Sequence, residues 1–173
     1  MSQPSNVTEV FLQPGEFHFG HAKTRIKTIL GSCVAITMWH PVLSIGGMCH
    51  YLLPARDTRS SERLDGRYGS EALQMFLHEM ARRGTTLREY QIKVFGGGNM
   101  FPALDKRGKA LEIGMRNIEL ARKALEDLGA SVVAEHVGDV GHRQVIFDVW
   151  NGDVWVRHQR LPGNDGHDSV GGA

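Results

Sequence analysis

A sheet-rich α/β domain of the α+β kind, with two main helices, is what this sequence predicts, and three observations predict it. Short β-prone runs broken by glycine or proline recur over residues 17–52 and again from Ser131 to Arg157. Between them lie two segments whose apolar residues return at helical spacing. The composition is that of a globular chain, 41% hydrophobic and 23% charged over 173 residues, too apolar for disorder and long enough for one domain to bury about 70% of its unfolded surface.

Taken in order, Thr28–Leu30, Val34–Met38 and Ser44–Leu52 read as strands. The last two are joined by a hairpin-like return through Trp39–Leu43, which contains Pro41. Arg56–Arg67 holds seven charged residues and no apolar period, so it is expected to be an exposed loop. Ser70 is the expected N-cap of a first helix whose buried stripe is Leu73, Phe76, Leu77 and Met80, with Gly84 as its stop after Arg82-Arg83. Gln91–Phe95 is a short strand running into Gly96-Gly97-Gly98. Ile118, Ala121, Leu125 and Leu128 form the stripe of a second helix ended by Gly129. Ser131–Val137, Arg143–Trp150 and Val154–Arg157 complete the strands. Asn151-Gly152 predicts a two-residue hairpin turn between the last two, because Asn-Gly tolerates positive φ at both central positions. Residues 1–159 are expected as a single domain and 160–173, rich in Gly, Asp and Ser, as a flexible tail.

Charge and cysteine usage narrow the function classes. Twenty Lys and Arg against nineteen Asp and Glu leave a net charge of +1, without the basic excess that supplies most of the affinity for nucleic acids or anionic membranes. Met1–Val10 has no signal-peptide pattern, and no apolar run approaches the roughly 20 residues of a bilayer span. The expected setting is the cytoplasm, with Cys33 and Cys49 as reduced thiols. There is no Cys-x-x-Cys or His-Glu-x-x-His, and the closest histidine spacing is His18-x-x-His21, so no metal centre is expected. Gly96–Gly98 is followed by Asn99-Met100 rather than Lys-Ser or Lys-Thr, so it is not a phosphate loop and is better explained by backbone packing or approach of a substrate chain.

The residue most able to carry chemistry is Cys33, which follows Gly31-Ser32. A cysteine just after a glycine turn can face free backbone N–H groups, which lower a thiol's pKa and hold an oxyanion. The bland alternative is a buried cysteine acting as a small hydrophobe. His50 is the nearest base, and strand alternation sets Gly46, Met48, His50 and Leu52 on one face and Ile45, Gly47, Cys49 and Tyr51 on the other. Cys49 therefore points away from His50. If the hairpin forms, Cys33 and His50 lie near the same end of paired strands, within reach of a thiolate–imidazolium contact.

Three blocks of this sequence, Thr28-Ile29-Leu30-Gly31-Ser32-Cys33-Val34-Ala35, Gly46-Gly47-Met48-Cys49-His50-Tyr51-Leu52-Leu53-Pro54 and Lys93-Val94-Phe95-Gly96-Gly97-Gly98, resemble the CheD family of chemoreceptor glutamine deamidases. Ile113-Gly114-Met115-Arg116-Asn117 and the closing run from Gly141 to Val156 extend the likeness. The resemblance implies a layered α/β sandwich with mixed sheets, related to toxin-type cysteine deamidases. It also implies a cofactor-free hydrolase that converts glutamine side chains of methyl-accepting chemotaxis receptors to glutamate. The family's nucleophile and base carry over onto Cys33 and His50. Its third member is a threonine, assigned to Thr28, five residues before Cys33; the place six before is held by Lys27, and a shift of one reverses strand parity unless the turn at Gly31 absorbs it. Arg56–Arg67 and Gly96–Gly98 are the expected rim that docks the receptor. The resemblance leaves two further roles open: binding a CheC-type chemotaxis phosphatase without catalysis, and hydrolysis of receptor methyl esters.

Overall fold

The computed structural model describes residues 2–57 and 63–160. Nine strands and two helices follow in the order β1 (Thr8–Phe11), β2 (Phe17–Gly20), β3 (Thr24–Leu30), β4 (Val34–His40), β5 (Ile45–Cys49), α1 (Gly69–Arg82), β6 (Gln91–Gly96), α2 (Lys109–Asp127), β7 (Val132–Val137), β8 (His142–Asp148) and β9 (Asp153–Gln159). They make two mixed sheets. One has the order β1-β3-β8-β9 and the other β2-β5-β4-β6-β7, with parallel pairing only at β1–β3 and β6–β7. Among the described residues no helix is long and apolar enough to cross a membrane.

The expected layered α/β architecture is what the packing builds, in three layers. Ile26, Leu30, Ala35, Met48, Phe95, Val145 and Phe147 fill the core between the two sheets. Val34, Ile36, Cys49, Tyr51, Phe76, Val94, Ile118 and Leu125 fill a second core, between the five-stranded sheet and the helices. The strand period explains the split: along β4 and β5 successive side chains enter alternate cores, so Met48 lies between the sheets while Cys49 lies under the helices. Phe76, fully buried on α1, contributes about 2–3 kcal/mol relative to leaving it in water.

Several boundaries differ from expectation for local physical reasons. Helix α1 begins at Gly69 after an uncapped Tyr68, so Ser70 lies inside the first turn rather than at the N-cap. In its place the Glu71 carboxylate accepts from Arg56 and from the Asp65 N–H, tying the loop to the helix start. Gly84, at φ +66°, does end the helix, with the Thr85 N–H closing back on Met80 O. Helix α2 starts two turns earlier than its clean apolar stripe, at Lys109, because the Asp105 carboxylate accepts from the N–H groups of Lys109 and Ala110, both at 2.8 Å. The β8–β9 hairpin forms, but with a four-residue loop, Val149–Gly152, closing on Asp148 opposite Asp153. Only Gly152 takes a positive φ there. Buried Val149 and Trp150 are held in the turn, where Trp39 Nε1 donates to Val149 O at 2.7 Å, and tertiary packing thus overrides the Asn-Gly preference. Strand β1 is not expected from the sequence, and β2, inside the β-prone stretch 17–52, is not singled out there as a run: each is four residues long and neither is fully buried, too short to leave a period. The expected tail beyond Arg160 and the middle of the Arg56–Arg67 loop lie outside the described residues.

Candidate active site

Thr28 sits on β3 in the four-stranded sheet, and His50 follows β5 in the five-stranded one. Along β3 the alternation buries Thr24, Ile26, Thr28 and Leu30 and turns Lys27 outward, where its ammonium pairs with Glu9 at 2.7 Å. Parity thus selects Thr28 over Lys27 for the space between the sheets. Across that space Thr28 Oγ1 lies 2.7 Å from His50 Nδ1. The same hydroxyl donates to Leu12 O at 2.9 Å. A hydroxyl has one proton, and with that proton on Leu12 O it faces the imidazole as an acceptor. His50 therefore carries its hydrogen on Nδ1, and its Nε2 presents a lone pair. That Nε2 is buried and has no hydrogen-bond partner among the described residues. The main chain of His50 is pinned as well, its N–H to Glu16 O at 3.1 Å and its C=O from the Gly15 N–H at 2.7 Å.

Cys33 precedes β4. Val34 and Tyr51 exchange both main-chain hydrogen bonds, at 3.1 and 3.0 Å. In this antiparallel register Cys33 and His50 flank that pair diagonally on the same face, the distance across which side chains still meet. The structure thus brings Cys33, His50 and Thr28 to one end of the inter-sheet space. Cys49 is fully buried in the other core, and burial pushes its thiol up to about 12, which makes it inert.

The turn Gly31–Cys33 supplies N–H groups. Continuing the β4–β5 register by one more bonded pair would join Ser32 to Leu53, but Leu53 leaves the ladder: its N–H goes to Arg67 O and its C=O takes the Gly69 N–H. The Ser32 N–H consequently makes no main-chain hydrogen bond among the described residues, and neither does the Cys33 N–H, which in this register faces away from β5. The turn is braced from behind by the triple glycine, whose Gly97 and Gly98 N–H groups donate to Cys33 O and Gly31 O, each at 2.8 Å. Gly96, Gly97 and Gly98 are all buried. A Cβ on Gly96 would overlap Cys33 O, and Gly96 and Gly97 take φ +106° and +66°. The expectation that this turn forms part of a docking rim is thus corrected: it is the floor of the nucleophile turn, and close main-chain approach excludes a substrate from it. Asn117, in the buried stripe of α2, donates through Nδ2 to Ser32 O at 3.1 Å and to Leu52 O at 2.8 Å. It escaped the sequence reading, although an asparagine one residue before Ile118 in an apolar stripe was the available signal.

The electrostatics differ from a preformed ion pair. Burial raises the Cys33 thiol above its ordinary value, against the pull of its own N–H. Burial also lowers His50 to about 4, with the Glu16 carboxylate acting the other way. Both groups favour their neutral forms in the unliganded protein, so the site rests as thiol and imidazole.

Comparison with known proteins points to a single family. Residues 52–158 match the family model described as CheD chemotactic sensory transduction. The chain is 53% identical to "Probable chemoreceptor glutamine deamidase CheD 3" of Dechloromonas aromatica over 88% of this chain and 89% of that one. It is 48% identical to "Probable chemoreceptor glutamine deamidase CheD" of Pseudomonas fluorescens over 93% and 90%. It is 47% identical to "Probable chemoreceptor glutamine deamidase CheD 2" of Albidiferax ferrireducens over 97% of each. With identities of 47% to 53% over 88% to 97% of its length, the chain belongs to the CheD family.

Proposed function

We propose that this protein is a chemoreceptor glutamine deamidase, with Cys33 as nucleophile, His50 as general base and acid, and Thr28 as the residue that orients the imidazole. The observation that carries the reading is the Leu12 O–Thr28–His50 chain, which commits the Nδ1 proton and leaves Nε2 as a free base on the face that bears Cys33. A neutral imidazole beside a neutral thiol has its Nε2 lone pair available at pH 7. As Cys33 Sγ attacks the glutamine carboxamide carbon, its proton passes to His50 Nε2. The carbonyl oxygen becomes an oxyanion and is met by the Ser32 and Cys33 N–H groups. The imidazolium then gives its proton to the departing nitrogen, which leaves as ammonia, and a thioester remains. Water, deprotonated by His50, attacks the thioester carbonyl; glutamate departs and Cys33 recovers its proton. General acid–base help of this kind contributes typically 10²–10⁴ in rate, and no cofactor enters any step.

The substrate of this reading is the cytoplasmic domain of methyl-accepting chemotaxis receptors, with residues 1–159 as the single catalytic domain working in the cytoplasm and a CheC-type phosphatase as a second partner. The printed names of the relatives support the receptor as substrate. Incubating a purified receptor cytoplasmic domain with wild type and with Cys33→Ala, followed by peptide mass spectrometry, tests it. Site-specific amide-to-acid conversion by the wild type alone is the expected result. A receptor left unmodified by both overturns it.

A further inference from the structure

The nucleophile turn and the histidine strand part company just where the site needs both. Up to Val34 and Tyr51 the β4–β5 ladder fixes their separation through main-chain hydrogen bonds. Beyond it Leu52 and Leu53 direct their N–H groups to Arg67 O. That departure frees the Ser32 N–H and deprives Ser32 O of the Leu53 N–H that would be its ladder partner, while Leu52 O has no rung to β4 in this register. Both carbonyls are reclaimed by one group: the two hydrogens of Asn117 Nδ2 reach Ser32 O at 3.1 Å and Leu52 O at 2.8 Å. Asn117 is fully buried, and its own C=O accepts from Tyr51 Oη at 2.5 Å. A single side chain on α2 therefore bonds to the residue before Cys33, to the second residue after His50, and through its main chain to the residue between them. Gly114, one turn earlier, lets α2 approach this closely, since a Cβ there would lie 2.6 Å from Gly97 O.

We propose that Asn117 is a positioning residue. Its side-chain amide takes over the rung that Ser32 O has lost and ties it to Leu52 O, and so sets the separation of Cys33 and His50 while leaving the Ser32 N–H free for the oxyanion. An ordinary continuation of the sheet would hold the two segments equally well but would consume that N–H. A side-chain donor of two hydrogens and no main-chain demand resolves the conflict, and among the twenty side chains Asn is the shortest that has a planar amide with both hydrogens on one nitrogen.

The proposal rests on the deamidase reading for its kinetic arm, and a second arm stands apart from it. Asn117→Ala keeps the Tyr51 bond, which uses the main chain, and Asn117→Ser serves if the alanine variant does not fold. Leu125→Ala, in the same helix and the same core but remote from the turn, is the control for lost stability. The first arm is kcat and KM for receptor deamidation at a temperature where circular dichroism reports all variants folded. The expected result is a fall in kcat of about 10²-fold in Asn117→Ala, the cost of a misplacement of about 1 Å, with KM within about threefold and Leu125→Ala close to wild type. The second arm is the pH profile of Cys33 alkylation by iodoacetamide, which needs no receptor. In wild type and Leu125→Ala the profile carries the influence of His50. In Asn117→Ala that influence is lost: alkylation at pH 7 slows and the inflection moves up, because the thiol loses its neighbouring base while burial still raises it. Unchanged profiles overturn the proposal whatever the receptor does. An inert wild type with a shifted Asn117→Ala profile overturns the deamidase reading and leaves the positioning role standing.

Discussion

Replacing Thr28 by valine removes one hydroxyl and almost no volume, which isolates the hydrogen-bond chain from the packing around it. In the wild type that hydroxyl serves Leu12 O at 2.9 Å and His50 Nδ1 at 2.7 Å, and Thr28 is 1% exposed. The variant leaves a buried carbonyl and a buried imidazole N–H unpartnered, each costing about 1–3 kcal/mol. The ring recovers part of this by turning or by moving its proton to Nε2. Recovery of either kind damages catalysis, because a proton on Nε2 removes the base. The net stability loss is about 2 kcal/mol, and the expected fall in kcat is about 10- to 100-fold, equivalent to about 1.4–2.7 kcal/mol of barrier. Deamidation of a receptor cytoplasmic domain, followed by ammonia release and peptide mass, measures it. Thr28→Ser restores the hydroxyl and is expected within about threefold of wild type. Lys27→Ala, on the outward face beside Glu9, is expected to change nothing. A folded Thr28→Val protein with kcat within twofold of wild type refutes the orienting role, and a loss in Lys27→Ala refutes the parity argument.

Acid provides a second test. The folded-state pKa of His50, about 4, lies below the ordinary value of about 6.5, so the unfolded chain binds the proton first. The protein is expected to lose stability as pH falls from about 6.5 to about 4, by about 3 kcal/mol in all, and urea midpoints across that range are expected to fall less steeply in His50→Gln. A resting neutral thiol predicts no thiolate ultraviolet absorbance at pH 7 in the difference between wild type and Cys33→Ser; a thiolate band there would restore the preformed ion pair. Cys49, with its thiol at about 12 and no exposure, is expected to resist alkylation in the native protein while Cys33 labels, and Cys49→Ala is expected to keep kcat within about twofold. Labelling of Cys49 ahead of Cys33 would contradict the assignment.

The parts of the molecule legible in the sequence were those with a strong local period. The Leu73, Phe76 and Met80 stripe gave α1, and the alternation from Ile45 to Leu52 correctly separated Cys49 from His50. The hairpin expected between their strands already brings Cys33 and His50 together, whereas Thr28 is nominated by its block alone and no local pattern reveals its approach to His50. Thr28 in particular is opposite His50 only because two different sheets stack face to face. Asn151-Gly152 misled because the turn is chosen by the burial of Val149 and Trp150, residues the local rule does not consult. The triple glycine was visible as an oddity, but its role as a floor depends on Gly31 O and Cys33 O, more than sixty residues away in sequence. Asn117 was hidden for a related reason: both of its acceptors are main-chain atoms of distant segments, and a carbonyl left without a rung has no signature in the residue that carries it.

The hydrogen bond between Thr28 and His50 joins one sheet to the other, so its length is a ruler laid across the layer between them. Leu30, Met48, Phe95 and Phe147, buried in the core between the sheets, set the thickness of that layer. Interiors are packed too densely to absorb a changed side chain without moving a neighbour. Enlarging or shrinking any of these four would therefore re-space Thr28 and His50. Selection for turnover would consequently hold the interlayer core to a narrower tolerance than selection for folding alone, and the core beneath the helices would be the freer of the two to drift.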